Sequence, residues 1–292
     1  MSGEPSQAAK RVPPPKPRLY HRGVRLHQRA RAWSHGLRPT PGWRGVRIFG
    51  YHRVSEDDDV LSVTPNAFRA HMEELARSDV EVLPLAVAVD RLREPVDGRV
   101  VCITFDDGYL DTVEQALPVL EELRLPATVF AVSDVVEGKL AFDWYGSSPP
   151  PPLLASDVPR LLAGGLVDIQ AHSRTHARLT ALGDEQLRSE VAGSKADLER
   201  LLPYELTTFS YPAGIYGARE VCAVHDAGFR AAVTTAPGVN PGGLPLGELR
   251  RTMIYWRDGL SEFRSKLAGA LDRDSRLAAR LQARRAGASP SK

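Results

Sequence analysis

A chain of 292 residues with 42% hydrophobic and 25% charged side chains has the composition of a globular protein, which excludes fibrous and wholly disordered classes. Its length fits one large domain or two small ones. No apolar run approaches the ~20 residues that a membrane-spanning helix needs. The first 23 residues lack the apolar segment of a secretory signal. We therefore expect a cytoplasmic protein, with peripheral membrane attachment and unconventional export as open alternatives.

The net charge of +2 conceals basic ends around an acidic body. Residues 1–45 hold ten Lys or Arg against one acidic residue, and residues 272–292 hold six against two. Residues 46–271 are therefore left with 22 basic and 33 acidic side chains. We expect a basic, mostly disordered tail over 1–45, one domain over 46–271 and a basic tail over 272–292. An amphipathic helix on an anionic surface is the alternative for the first tail.

Alternating segment types predict an α/β fold. The predicted strands are, in chain order, Val46–Tyr51, Val80–Leu85, Val100–Phe105, Ala127–Val132, Val167–Ala171, Thr207–Tyr211 and Phe229–Thr234, and an eighth, Leu249–Tyr255, completes or flanks the sheet. The predicted helices are Asn66–Ser78, Asp111–Leu123, Asp157–Ala163, Glu185–Leu202 and Ala218–Ala227. Strands that alternate with helices over short connections favour a closed parallel barrel.

Two further features of the sequence lie outside this alternation. The Pro-rich segment Ala141–Leu154 is predicted to be a loop. Cys102 and Cys222 are too few for a disulfide framework, and we expect both to be reduced thiols in the core.

Four of the predicted strands end in polar or reactive side chains. They are Asp106 and Asp107 in TFDDGY, His172 and His176 in DIQAHSRTH, Ser210 and Tyr211 in FSYPAG, and His52 in GYHRV. The chemistry of a parallel α/β barrel is carried by the carboxyl ends of its strands. These side chains are therefore expected to meet at one mouth and to form the active site.

The histidine pair indicates a metal site. Imidazoles four residues apart can converge on one cation if the segment between them turns helically. With one carboxylate they give the ligand set of a catalytic Zn²⁺, and Co²⁺, Ni²⁺, Fe²⁺ and Mn²⁺ are alternatives. The second carboxylate is then placed to take a proton from an attacking water. Spacing does not decide which of Asp106 and Asp107 has which role.

The motifs T-F-D-D-G-Y, H-S-x-x-H and S-Y-P-x-G, in this order, resemble those of the NodB-homology polysaccharide deacetylases, carbohydrate esterase family 4. The likeness runs from about Val46 to Leu271. It includes an early Y-H-x-V segment, which is typical of the subgroup that contains the biofilm exopolysaccharide deacetylases. The resemblance implies a distorted, incomplete (β/α)7 barrel. It also implies an enzyme that removes N-acetyl groups from an amino-sugar polysaccharide or oligosaccharide.

The resemblance also assigns roles to residues. It implies that Asp106 is the general base and that Asp107 binds the metal with His172 and His176. The backbone N–H of Ala213 would stabilise the oxyanion that the acetyl carbonyl becomes.

Other residues near the motifs are expected to act by contact or by shape. Tyr211, Pro212 and Trp144 are expected to lie at the mouth and to contact the substrate. For Trp144, capping the barrel core is the alternative to stacking on a sugar ring. Ser173 and Thr175 are expected to shape the loop between the histidines.

The chain departs from the family pattern in two places. Many members have an arginine at the position of Ser210, where it holds the base, and Arg250 or Arg251 on the late strand is the candidate replacement. Many members also have a late histidine that protonates the leaving amine, whereas this chain has no histidine after His225. His52, at the end of the first strand, is the expected substitute.

We therefore expect an N-acetylated glycan as the partner, a divalent cation as the cofactor and no nucleic acid. Two alternatives stay open. One is an O-acetyl esterase that acts on a glycan. The other is a carbohydrate-binding relative that has lost turnover, and the full set of predicted ligands and base argues against it.

Overall fold

All of the paired strands in the described part of the chain run parallel. The computed structural model describes residues 42–142, 145, 148–256 and 258–272, so nearly all of both predicted tails lies outside the described residues. The strands are β1 (Gly45–Tyr51), β2 (Arg53–Val54), β3 (Ser62–Val63), β4 (Glu81–Val82), β5 (Arg99–Asp107), β6 (Ala127–Ala131), β7 (Val167–Ala171), β8 (Thr208–Ser210), β9 (Ala231–Val233) and β10 (Arg251–Met253).

Seven of these strands form a barrel that is almost closed. Their order is β10-β1-β5-β6-β7-β8-β9. The two end strands approach each other at a parallel bridge between Val233 and Leu249. One edge of β5 is shared, since β4 pairs with Val100 and Val101 while β6 pairs with the last five residues of the strand. The predicted distorted, incomplete barrel is therefore confirmed, and the late strand completes it.

Helices cover the outside of the barrel. They are α1 (Pro65–Arg77), α2 (Leu85–Arg91), α3 (Leu117–Leu123) after a π-helical turn (Thr112–Ala116), α4 (Ser133–Val136), α5 (Val158–Leu162), α6 (Asp184–Glu199), α7 (Ala218–Asp226) and α8 (Leu260–Leu267), with 3₁₀ turns at Leu179–Ala181, Pro212–Gly214 and Leu246–Glu248. The Thr64 hydroxyl caps α1 by accepting a hydrogen bond from the Ala67 N–H at 3.2 Å.

The predicted strand Val80–Leu85 is wrong in its second half. Only Glu81 and Val82 pair with β5, because Leu85 begins α2 directly after Pro84. Proline at the helix boundary fixes φ and donates no hydrogen bond, so it favours this start. The sequence patterns also gave no signal for α4 and α8.

Alternation along the strands divides the buried residues into two cores. Val101, Ile103 and Phe105 of β5 belong to the large core between sheet and helices. The residues between them point to the barrel interior. There Thr104 and Asp106 meet Arg251 of β10, whose side chain is fully buried. A charged side chain inside the barrel must have a partner, and its partner lies at the carboxyl end of the strands.

Three smaller expectations are settled by the described residues. No helix within the described ranges is long and apolar enough to cross a membrane. Both cysteines are free, but only Cys102 is buried; Cys222 is exposed on α7, so the prediction of two core thiols is wrong for that residue. The Pro-rich insertion contacts the barrel through an isolated bridge between Tyr109 and Pro152.

Candidate active site

The double aspartate ends β5 at the barrel mouth. Both carboxylates are buried, with 3% of each residue exposed. Asp107 has the left-handed φ of 72°, and Gly108 follows with φ of 86°. Left-handed backbone is costly for a residue with a side chain and is concentrated at functional sites. This turn therefore lets two adjacent carboxylates take separate positions at one strand end.

The two histidines lie on the loop that follows β7. Nδ1 of His172 lies 2.8 Å from the carbonyl oxygen of Ser210, so Nδ1 carries the proton and Nε2 keeps its lone pair. This Nε2 lies 3.4 Å from Oδ1 of Asp107, and Nε2 of His176 lies 3.5 Å from the same oxygen. The segment between them is not the helical turn that the spacing suggested but a loop, with left-handed φ values at Ser173 and His176.

These three side chains fit a divalent cation. Their ligand atoms all lie within 4.8 Å of one another. Among the described residues, Oδ1 of Asp107 is buried without a hydrogen-bond partner, whereas Oδ2 accepts a hydrogen bond from the Tyr109 hydroxyl at 2.9 Å. A buried carboxylate oxygen without a donor is costly. Oδ1, the oxygen of Asp107 that faces the two histidines, therefore requires a positive charge beside it.

The pKa shifts at this site follow from burial and the clustered charges. Burial would lower the pKa of His172, but the carboxylates of Asp106 and Asp107 outweigh it and raise the pKa. Burial would raise the pKa of Asp107, but the neighbouring imidazoles of His172, His176 and His52 hold it well below its ordinary value. Burial lowers the pKa of His176 to about 4, so its imidazole is neutral at pH 7. Neutral imidazole and ionised carboxylate are the forms that bind metals.

The other carboxylate is held by an arginine from the far end of the chain. Nη1 and Nη2 of Arg251 donate to Oδ1 and Oδ2 of Asp106 at 2.6 and 2.7 Å. Nη2 also donates to the Ser210 hydroxyl at 3.0 Å. Burial would raise the pKa of Asp106, but the charges of Arg251 and His172 outweigh it and lower the pKa. Of the two candidate replacements for the missing arginine, Arg251 is therefore the one in contact.

The segment after β8 gives a mixed outcome. Ala213 is exposed and has the left-handed φ of 53°, and the Tyr211–Pro212 segment before it is buried. The Tyr211 ring stacks on Tyr216 and its hydroxyl donates to the carbonyl of Gly247 at 2.9 Å. The side chains of Tyr211 and Pro212 are both buried in this structure, and their contact with substrate stays a prediction.

His52 lies at the end of β1, as predicted, and is half-buried. Its ring is nearly parallel to that of Tyr255, with centroids 6.4 Å apart. Among the described residues its Nδ1 is buried and has no hydrogen-bond partner. Trp144 lies outside the described residues. Its neighbour Tyr145 packs edge-on against Tyr109 and donates to Asp59 at 2.8 Å.

A second group of acidic side chains does not have the same character. Asp134, Glu137 and Asp197 also lie close enough to share a cation. However, Asp197 pairs with Arg174 at 2.7 Å, and Arg200 pairs with both Asp197 and Glu137. The charge of this group is therefore balanced by Arg174, by Arg200 and by Lys139, which pairs with Glu137 at 2.6 Å.

Comparison with known proteins adds the family. Residues 93–232 match the family model described as polysaccharide deacetylase. Over 210 residues, which are 71% of this chain and 69% of the relative, the sequence is 29% identical to YxkH of Bacillus subtilis (strain 168), a protein named for the same family. Residues 93–232 therefore belong to a polysaccharide deacetylase domain, whose barrel continues beyond them on both sides in β1 and β10. A polysaccharide deacetylase is a hydrolase, so the chain is an enzyme.

Two solved structures share the fold of this domain. One is the Streptococcus pyogenes deacetylase PplD in complex with acetate, with a TM-score of 0.66, 20% identity, and coverage of 76% of this chain and 98% of that chain. The other is IcaB from Ammonifex degensii, with a TM-score of 0.67, 20% identity, and coverage of 78% and 98%. At this identity the likeness concerns the fold alone.

Two contacts of the deacetylase domain were missed by reasoning from sequence. Tyr109 belongs to the quoted TFDDGY motif, yet nothing in the pattern shows that its hydroxyl binds the second oxygen of Asp107. Glu190 of α6 binds the loop between the histidines, and on sequence it is one acidic residue among several on a helix. The only available signal for Glu190 was its position within a helix face that is otherwise buried.

Proposed function

We propose that this protein is a metal-dependent hydrolase that removes N-acetyl groups from an amino-sugar polysaccharide or oligosaccharide. One observation carries the proposal. A set of Asp107, His172 and His176 with converging ligand atoms lies beside a second carboxylate, Asp106, which is buried and paired with Arg251. The arrangement supplies separate groups for binding a cation and for moving a proton.

Asp107, His172 and His176 would hold the cation. Two imidazoles and one carboxylate suit Zn²⁺, and Co²⁺, Ni²⁺, Fe²⁺ and Mn²⁺ accept the same ligands. When bound, such a cation supplies Lewis acidity and lowers the pKa of water toward 7.

Asp106 is the proposed general base. Its lowered pKa keeps it ionised at neutral pH, so it can accept the proton of the water that attacks the acetyl carbonyl. Arg251 fixes both of its oxygens and thereby holds its orientation. Because its pKa is lowered, Asp106 is a weak base in itself. It would therefore act on a water whose pKa the bound cation lowers.

Two further groups complete the proposed chemistry. The Ala213 N–H lies at an exposed turn whose backbone is fixed by the preceding proline, and it would donate to the oxyanion. His52 is the proposed acid, because an amide can only release its nitrogen as a protonated amine. Its ring is half-buried and lies nearly parallel to that of Tyr255.

The test uses the purified full chain with added Zn²⁺ and N-acetylated chito-oligosaccharides, with released acetate as the readout. Asp106→Asn is expected to keep bound metal but to lose most of the turnover. Asp107→Asn is expected to lose the metal as well, because it removes a ligand. Asp134→Asn is the matched control, since its acidic group is balanced by arginines, and it should change neither quantity.

Three outcomes would contradict the proposal. Equal metal content in Asp107→Asn and wild type would remove the site. Acetate released from an O-acetylated glycan but not from the N-acetylated one would favour the esterase. Bound metal with no acetate from either substrate would favour a binding relative without turnover.

A further inference from the structure

The loop that carries both histidines is anchored by a single carboxylate from α6. Oε2 of Glu190 accepts hydrogen bonds from the backbone N–H groups of Arg174 and Thr175, at 3.0 and 2.9 Å. Oε1 accepts the Thr175 hydroxyl at 2.7 Å. Glu190 is 9% exposed, so these bonds are shielded from water. Three bonds from one side chain therefore fix the middle of the His172–His176 segment.

This loop needs an anchor because its backbone conformation is unfavourable. Ser173 and His176 both have left-handed φ, at 64° and 58°. Neither is glycine, so each would relax to an ordinary conformation if the loop were released. The internal bond from the His176 N–H to the Ser173 hydroxyl, at 3.0 Å, closes the turn but does not attach it to the rest of the protein. Glu190 attaches the loop on the side of α6, while the Ser133 and Asp134 N–H groups of α4 donate to the Ser173 and Arg174 carbonyls at 3.2 and 3.0 Å.

Helix α6 is shaped to receive the loop in two further ways. Asp197 accepts the Arg174 side chain through Nε at 2.7 Å. At Gly193 an added Cβ would lie 2.6 Å from Cζ of Arg174, so a side chain there would displace the guanidinium group from this position. Helix α6 therefore binds the loop at two levels. Glu190 binds the loop backbone, and Gly193 and Asp197, one and two turns later, accommodate the Arg174 side chain.

We propose that Glu190 is a positioning residue for the metal site, and that it sets the cation affinity by holding the two imidazoles at the distance they have from Asp107. The inference rests on the proposed metal dependence. It does not require that the substrate be an N-acetylated glycan. Partners of metal ligands commonly change affinity by ~10–100-fold when they are removed.

The experiment measures metal binding by the full chain without substrate. Co²⁺ is titrated in competition with a chromophoric chelator, and its visible absorption reports the ligand geometry. Glu190→Ala is expected to raise the Kd for Co²⁺ by ~10–100-fold and to change the spectrum. Glu190→Gln is expected to stay within about threefold, because its carbonyl oxygen can accept both backbone N–H groups and its amide can donate to the Thr175 hydroxyl. Glu185→Ala, exposed on the same helix, is the control.

A second variant covers the case in which Glu190→Ala does not fold. Glu190→Asp keeps the charge but is one methylene shorter, so it is expected to weaken Co²⁺ binding by an intermediate factor. A wild-type Kd and spectrum in folded Glu190→Ala or in Glu190→Asp would overturn the inference. If the wild-type protein binds Co²⁺ but does not hydrolyse an acetylated glycan, the proposed function is overturned and the positioning role of Glu190 still stands.

Discussion

The pair between Arg251 and Asp106 allows a sharp prediction for stability. Arg251→Met keeps a long unbranched side chain in the barrel but removes the guanidinium group. Asp106 would then be a buried carboxylate whose remaining contact is the Ser210 hydroxyl at 3.4 Å. Removing one partner of a buried ion pair costs about 3–5 kcal/mol. The Thr234 carbonyl also loses the bond it accepts from Nε at 3.1 Å.

We therefore expect Arg251→Met to lower the free energy of unfolding by about 4 kcal/mol. In a domain of this size that corresponds to a fall in Tm of roughly 8–16 °C. The assay is urea unfolding of the metal-free protein at pH 7, followed by circular dichroism. Arg250→Met is the matched control, because Arg250 is the neighbouring residue and lies half-buried away from Asp106; its expected change is below ~1 kcal/mol.

A double-mutant cycle separates the ion pair from packing. In Arg251→Met with Asp106→Asn no buried charge is left behind. The double variant should therefore be more stable, by about 2 kcal/mol, than the sum of the single effects predicts. If the effects simply add, or if Arg251→Met unfolds like wild type, the pair does not hold Asp106 and the reasoning fails.

Two other predictions concern histidines outside the metal site. Burial lowers the pKa of His71 to about 4, despite the nearby charge of Asp258 and together with that of Lys266, so the unfolded state binds a proton more readily. The stabilisation that neutral His71 provides is present above pH 6.5 and is lost as the pH falls. Between pH 7 and 5 the free energy of unfolding should therefore decrease by about 2 kcal/mol more in wild type than in His71→Gln. Equal decreases in urea unfolding would contradict this. His52→Ala should keep its metal and lower amide hydrolysis by ~10²–10⁴. Its effect on an aryl acetate should be smaller, because phenolate leaves without a proton, and equal losses would exclude His52 as the acid.

The parts of the site that were predictable are those where one short segment carries the information. TFDDGY and HSRTH each follow a strong apolar strand, and parallel strands bring their carboxyl ends to one edge whatever the details of the helices. Asp107, His172 and His176 therefore converge as the spacing suggested. The strands themselves were recognisable because both faces are buried and their residues are consistently apolar.

The parts that were not predictable depend on distant contacts. Arg251 reaches Asp106 across 145 positions of chain, and it does so because β10 closes the barrel beside β1. Only one of Arg250 and Arg251 can point toward Asp106, because neighbouring residues on a strand point to opposite faces. The surroundings of Tyr211 could not be predicted for a related reason. A residue at a strand end can face the mouth or the core, and only the position of the Gly247 carbonyl decides it.

Backbone strain in this protein is concentrated at the candidate site. Of the five residues other than glycine that have left-handed φ in the described part of the chain, four lie at the mouth: Asp107, Ser173, His176 and Ala213. Each such residue costs about 1–3 kcal/mol. The compensating contacts come from the protein itself, through the Ser173 carbonyl, which accepts the Ser133 N–H at 3.2 Å, and the Asp107 carbonyl, which accepts the Val132 N–H at 3.3 Å. The free-energy cost of ordering these groups is therefore compensated when the protein folds, and substrate binding does not have to supply it.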